Sequence, residues 1–400
     1  MAIRMDQLVR SIGSALDIVE GELWGVTTNH GKRIAALCAV MGRRFELSEH
    51  YISAITSCAL FHDSALTESA GMPRHCEIGQ RNVELLPLGD NLDGLVLYHH
   101  EHADGSGIFG KRAGEYPLGA EMIAIADMLD VENKLQRPQN LETLRDKVEH
   151  DPRFTKRAAK ALLSVLSYAL LEQLRDENIF KTAEGLIPAW SIDVDDGALM
   201  RLSDLAARII DYKSEFTRRH TSQIANRAWL MSEYYEYSHA EKTKLYLAAS
   251  LHDIGKLATP SAILEKPDVL TDGEFIVIKD HVLHTQEMLR EVGGLEDISA
   301  WAGNHHEKLD GSGYPNRLRG NELDFNSRLL ACIDIYQGVS EARPYHGPRS
   351  HEETMLIMYQ MVGKGFIDPA IVRDMDTAMK LYSMQEVPKP DGAQYTSKTQ

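Results

Sequence analysis

The chain has 400 residues, 43% of them hydrophobic and 26% charged, the make-up of a globular protein long enough for two domains. Its formal net charge of −16 argues against a general DNA or RNA binder, because counterion release needs a basic surface. No apolar run approaches the roughly 18–20 residues of a membrane span, and the four cysteines form no CxxC pair or disulfide-like spacing, so a reducing cytoplasm and no membrane are expected.

In chain order, MAIRMDQLVRSIGSALDIVEGEL predicts an amphipathic first helix carrying Leu8, Ile12, Leu16 and Ile18, without the apolar block and cleavage site of a signal peptide. Five phrases follow: TTNHGKRIA (27–35), LFHDSALTE (60–68), HCEIG (75–79), YHHEHADGSGIF (98–109) and AEMIAIADMLD (120–130). Beyond a boundary within 179–197 they return in the same order, as TRRHTSQIA (217–225), LHDIGKLAT (251–259), HVLHT (281–285), NHHEKLDGSGYP (304–315) and SRLLACIDIYQ (327–337). His30 and His220 each stand 32 positions ahead of their His-Asp pair. Such an ordered set marks two copies of one module.

Both copies read as helical, and no alternating run is long enough for a sheet. The fold class expected is all-α, two tandem helical domains over 1–190 and 196–387, with 388–400 as a disordered tail. In the second copy, SDLAARIIDYKSEF, AEKTKLYLAASLHDIGK and RLLACIDIYQGV predict helices, with LEKPD and DGSGYP as turns. Leu245, Ala248, Ala249 and His252 share one stripe of the second of these, which Gly255 is expected to end.

A lone buried histidine is more often a hydrogen-bonded core residue than a ligand, and a single aspartate within a helix is usually a cap or an ion-pair partner. Four imidazoles (His252, His281, His305, His306) and two carboxylates (Asp253, Asp334) on helices of one domain are harder to dismiss. Nitrogen and oxygen ligands without thiolate suit manganese, iron or zinc, and six of them suit two ions. Lys256 lies one helical turn after His252, and a lysine beside a dication implies an anion between them, such as phosphate. Two ions would lower the pKa of a bridging water and clamp phosphoryl oxygens during in-line attack, so the implied reaction is phosphoester hydrolysis.

LHDIGK, NHHEKLDGSGYP and the spacing to Asp334 resemble the HD-GYP subgroup of the HD superfamily, helical metal-dependent phosphodiesterases that open bacterial cyclic dinucleotides. The resemblance implies that His252, Asp253, His281, His305, His306 and Asp334 hold two divalent metals (manganese or iron first; zinc, nickel or magnesium next), and that Asp253 and Lys256 serve catalysis. It places Lys256, Asp310, Gly313, Tyr314, Arg343, His346 and His220 near the substrate. It favours cyclic di-GMP, with 3′3′-cGAMP next, opened to a linear dinucleotide and onward to mononucleotides. The pattern departs at several points. Phe216 stands where some members place an acid that helps hold a third metal, Glu215 being one place off; Gln337 replaces a second aspartate; His346 replaces a basic residue; and HVLHT lacks the usual Pro and Gly. These departures bear on which dinucleotide is preferred.

The first copy keeps His62, Asp63, His75, His99, His100 and Asp127, the same ligand types in the same order, and so could hold a second metal site. Against hydrolysis there, Leu66 takes the lysine position and Ile108-Phe109 replaces Tyr-Pro. Only 13 positions separate His62 from His75, against 29 between His252 and His281, so a counterpart of LEKPDVLTDGEF, expected as a pocket wall, is missing. The expectation is one working site and a regulatory echo. The competing readings are a cyclic-dinucleotide receptor or interaction protein that binds without cutting, a general HD nucleotide phosphohydrolase, and a dinuclear-iron oxygenase. A homodimer or a signalling partner is compatible with each.

Overall fold

The structure is a computed structural model and describes residues 1–25, 27–65, 72–213, 220–266, 268–341 and 347–382. It divides into two compact units, Arg4–Ile192 and Met1–Ile3 with the chain from Asp193 onward. The front unit holds helices α1 (Met5–Trp24), α2 (His30–Arg44), α3 (Glu49–Phe61), α4 (Met72–Val83), α5 (Leu118–Asn133), α6 (Leu141–His150), α7 (Lys156–Val165), α8 (Tyr168–Gln173) and α9 (Ile179–Leu186). The rear unit holds α10 (Asp196–Lys213), α11 (His220–Tyr234), α12 (His239–Leu251), α13 (Ser261–Leu264), α14 (Asp272–Arg290), α15 (Glu296–Gly303), α16 (Phe325–Ser340), α17 (His351–Gly363) and α18 (Pro369–Tyr382). Among the described residues the strands are β1 (Ala2–Arg4) and β2 (Ser191–Asp193), paired in one small sheet, and the all-α expectation is met. No helix among them is long and apolar enough to cross a membrane, and all four cysteines are free and buried.

Local chemistry starts the helices that matter most. Ser48 caps α3 by accepting from the Tyr51 N–H, and Ser238, Thr271 and Ser350 form reciprocal capping boxes with Glu241, Glu274 and Glu353 at the heads of α12, α14 and α17. Each such cap contributes about 1 kcal/mol. In the front unit α2 packs on α1, α3, α5 and α9; in the rear unit α11 packs on α10, α12 and α16, and α12 on α15. These central helices carry the fully buried apolar residues, Ile34, Leu37, Ile52 and Ile55 in front and Ile224, Leu245, Ala248 and Leu330 behind. Full burial of a large aliphatic side chain stabilises by about 1.5–3 kcal/mol.

Two expectations shift in detail. Leu8, Ile12 and Leu16 of α1 are buried, but Ile18 is 44% exposed, since two residues past Leu16 a helix has turned to its opposite face. The α12 helix ends at Leu251 and not at Gly255: Asp253 (φ −104°, ψ 8°) leaves the helical region, and Ile254–Ala258 continue as a 3₁₀ turn. That turn presses Gly255 against α14. Phe216, Glu215, Leu66, Arg343, His346 and the tail from 388 lie outside the described residues.

Candidate metal centre

Four helices aim one cluster in the rear unit. His252 follows the last residue of α12, His281 sits within α14, His305 and His306 follow α15, and Asp334 sits within α16. The ring Nδ1 of His252 donates to the Ala249 carbonyl at 2.7 Å, that of His281 to Ile278 at 2.6 Å, and that of His305 to Ala302 at 2.6 Å. A carbonyl can only accept, so each bond places the proton on Nδ1 and leaves the Nε2 lone pair facing inward. Those three Nε2 atoms and Asp253 Oδ1 are buried without any hydrogen-bond partner. Leaving such groups unsatisfied costs about 1–3 kcal/mol apiece, a cost that a shared cation removes.

The atoms converge. Asp253 Oδ1 lies 3.3 Å from His281 Nε2 and 3.9 Å from His305 Nε2, while Oδ2 lies 3.2 Å from His252 Nε2. Asp334 reaches the other side, its Oδ1 4.0 Å from His252 Nε2 and its Oδ2 3.9 Å from His306 Nδ1. Overlapping groups of donors within 4.8 Å of one another (His281, His305 and His306; His252, Asp253 and His305; His220, His252 and Asp334) make the set wider than one coordination sphere.

Ionisation suits ligand duty. Burial would raise Asp253 and Asp334, yet the facing imidazoles, joined by Lys256 for Asp253 and by His220 for Asp334, hold both well below the usual carboxylate range. Burial and neighbouring imidazoles push His305 well down and His306 down to about 4. Ionised carboxylates beside neutral imidazoles are the protonation state a metal needs. His220 behaves oppositely. Burial opposes its charge, but the Asp334 and Glu341 carboxylates raise it to about 9, its Nε2 lying 3.6 Å from Asp334 Oδ1 and its Nδ1 hydrogen-bonding Glu341 Oε2 at 3.0 Å. It therefore stands as a cation that orients Asp334.

Gly255 explains how α12 and α14 come close enough. A Cβ there would lie 2.0 Å from the His281 carbonyl oxygen and 2.6 Å from the Thr285 nitrogen. The Thr285 hydroxyl accepts from the Gly255 N–H and donates to the His252 carbonyl, both at 3.0 Å, tying the HD turn to the His281 helix. Gly255→Ala is expected to destabilise the chain by about 1–3 kcal/mol through overpacking and to lower bound metal, because His252 and His281 must separate. Denaturant unfolding and metal content of the purified variant check this.

A cavity of about 370 Å³ opens on the cluster, lined by His220, Asp253, Lys256, His306 and Asp334, with Ile335, Gly338, Val339 and Met361 on its apolar side. Among the described residues the LEKPDVLTDGEF segment, expected as a wall, contributes none to this lining; α16 and α17 supply its apolar part. Lys256 Nζ lies 2.5 Å from Asp253 Oδ2 at the cavity edge. Tyr314 lies against His306 (ring centroids 4.9 Å apart), with Lys279 Nζ 5.1 Å from the tyrosine ring centroid. Asp310 and Gly313 shape the loop: Asp310 Oδ1 accepts from the Ser312 N–H at 2.9 Å, and Gly313 lies against the Glu307 backbone, where a Cβ would approach Cα to 2.5 Å.

Several working residues went unread in the sequence. Glu307 is no ligand: buried, it anchors the loop by accepting from the Asn316 and Leu318 N–H groups at 2.6 and 3.0 Å. Its echo Glu101 does the same for Phe109 and Lys111 at 2.6 and 2.5 Å, so the repeated HHE phrase held that signal. Glu341 carries no motif. Gln337, read as a departure at the pocket, is fully buried in a network with Arg227, Gln223 and Glu341 and is not among the residues lining the cavity.

Comparison with known proteins follows this geometry. Residues 204–371 match the family model described as HD domain. The chain is 28% identical to 3′3′-cGAMP-specific phosphodiesterase 1 of Vibrio cholerae over 92% of its own length and 90% of the relative's. It is 30% identical to 3′3′-cGAMP-specific phosphodiesterase 3 of the same organism (70% of this chain, 61% of the relative) and 29% identical to a cyclic di-GMP phosphodiesterase of Thermotoga maritima (58% and 61%). A solved cyclic GMP-AMP specific phosphodiesterase of Vibrio cholerae shares the fold, with a TM-score of 0.66 at 20% identity, covering 95% of this chain and 99% of that one.

Proposed function

We propose that this chain, whose rear unit carries an HD domain of the HD-GYP type, is a metal-dependent phosphodiesterase that hydrolyses bacterial cyclic dinucleotides. The observation that carries the reading is the convergence of three unpartnered imidazole Nε2 atoms on one carboxylate, all buried, where that carboxylate, Asp253, also lines an open cavity together with His306 and Asp334. His252, Asp253, His281, His305, His306 and Asp334 would hold two divalent ions, manganese or iron by donor type. Bound there, such ions supply Lewis-acid stabilisation of phosphoryl charge and an activated water.

The chain's own groups do the rest. The Lys256 ammonium, at the cavity edge, faces the charge that builds on a phosphoryl oxygen. His220, held by Glu341, keeps Asp334 turned toward the imidazoles. Ile335, Val339 and Met361 offer an apolar bed for a base or ribose, and Tyr314 braces His306. Between substrates, similarity to a 3′3′-cGAMP-specific enzyme over nearly the whole chain favours the hybrid dinucleotide ahead of cyclic di-GMP. Chromatographic product analysis with 3′3′-cGAMP, cyclic di-GMP and cyclic di-AMP, with manganese and with ferrous iron, tests the reading. A linear product from the hybrid at the highest rate is expected, and stoichiometric binding with every dinucleotide intact would overturn hydrolysis.

A further inference from the structure

We propose that the front unit is a metal-binding module in its own right, holding one divalent transition-metal ion between Asp63, His75, His99 and His100. Donor atoms of these four residues lie within 4.8 Å of one another, whereas the groups meeting that limit in the rear unit have three residues each among the described residues. Asp63 Oδ1 stands 2.8 Å from His75 Nε2 and 3.8 Å from His99 Nε2. His75 and His99 are 2% and 0% exposed, yet both ring nitrogens of His75 and the Nε2 of His99 have no hydrogen-bond partner. The Nδ1 of His99 donates to the Val96 carbonyl at 2.5 Å and that of His62 to Ala59 at 2.9 Å, the same orienting device as behind, again leaving each Nε2 lone pair free on the side of Asp63. A decayed copy has no reason to keep unpaired imidazoles buried, because each costs stability unless something binds them.

The helix approach that makes the rear cluster possible is also retained, by reversed residues. Rear Gly255 fits beneath Thr285; in front the matching positions are Ala65 and Gly79, the small residue having moved to the other helix. A Cβ on Gly79 would lie 3.3 Å from the His62 carbonyl oxygen, so Gly79 keeps the close contact with the HD turn that Thr285 makes behind.

The four-residue group accounts for one ion; a second group of donors, Glu20, His30 and His62, also lies within 4.8 Å, but both ring nitrogens of His30 are already held by Asp127 and Asp130. Asp127, the counterpart of Asp334, is absent from the four-residue group; its Oδ1 is held by His30 Nε2 at 3.1 Å, and His30 Nδ1 is held by Asp130 at 2.6 Å. Arg33 fixes Asp130 in turn at 2.7 Å, so this side of the cluster is committed to a buried ion network. A further carboxylate unread in the sequence, Glu20, is 3% exposed beside His30 and His62, where the matching spacing in the rear copy places Ile210. Three imidazoles and one carboxylate, without thiolate, suit zinc, iron or manganese. The sequence puts Leu66 where Lys256 stands behind, so the counterpart of that lysine is missing, and the Arg153 that lines the neighbouring cavity is paired with Asp151 and Glu132; the bound ion serves structure or regulation.

The test uses the full chain with His252→Ala and His305→Ala in the rear cluster, which between them break all three rear donor groups, dialysed against zinc, manganese or ferrous iron alone and measured by elemental analysis. One ion per chain is expected to remain, and to vanish when His75→Ala and His99→Ala are added. Should the rear-disabled chain not fold by circular dichroism, the front pair of substitutions in the otherwise native chain is expected to remove one ion while the rear complement stays. Unchanged metal content after the front substitutions, or no metal in a folded rear-disabled chain, overturns the proposal. Either failure leaves the hydrolytic reading of the rear site intact, since that rests on the product assay.

Discussion

Asp253→Asn is expected to lower turnover by more than the roughly 10²–10³-fold that removal of one electrostatic donor causes, and to do so by emptying the centre. Asp253 sits at the middle of the cluster: His252, His281, His305, His220 and Lys256 all lie within 4.0 Å of its carboxylate. An amide keeps the shape but presents an N–H₂ to lone pairs that need a cation, and it removes the negative charge that balances the ions. The signature separating lost metal from lost chemistry is thermal. The native chain should gain stability on adding manganese, by about 2.7 kcal/mol when the free ion is 100 times its dissociation constant. The variant should gain almost nothing. Turnover within tenfold of native from a variant that no longer binds metal would sink the hydrolytic mechanism.

How much of this centre was legible follows from the kind of interaction each residue makes. The HD pair, His281, the two adjacent histidines and Asp334 were readable because a metal site needs particular donor atoms, and the doubled phrases showed which histidines travel together. The helices around them were readable from periodicity and from Ser238, Thr271 and Ser350, whose capping chemistry is local. Contacts across the fold were not. Gly255 read as a helix stop, because glycine after an apolar stripe signals an end; its actual duty is set by α14, more than 15 residues away in sequence, where no local pattern can show it. Glu307 sat in plain view within HHE, but a glutamate beside two histidines suggests a ligand, and only the loop's own N–H groups reveal an anchor. Glu341 and Gln337 act through His220 and Arg227 from α11, a pairing that depends on how α11 and α16 pack.

Lys256→Met should move turnover and metal binding in opposite directions. The ammonium lies 2.5 Å from Asp253 Oδ2, so in the metal-free protein it competes with any incoming cation for the same oxygen. Like charges about 4 Å apart repel by on the order of 4 kcal/mol at an effective dielectric near 20, reduced here because the lysine side chain is 19% exposed and can swing toward the cavity. Methionine keeps the length and apolar stem while removing that competition, so manganese affinity is expected to hold or to rise. Turnover should still fall by roughly 10²–10³-fold, the usual cost of losing one preorganised charge facing a developing oxyanion. Isothermal titration with manganese and a product assay at saturating metal separate the two effects. A loss of metal affinity in step with turnover would mean that Lys256 shapes the metal centre and does not face the phosphate, and native turnover would remove it from the reaction altogether. The expected outcome, a fully loaded but slow enzyme, requires that the substrate's own negative charge draw the lysine off Asp253 when it binds.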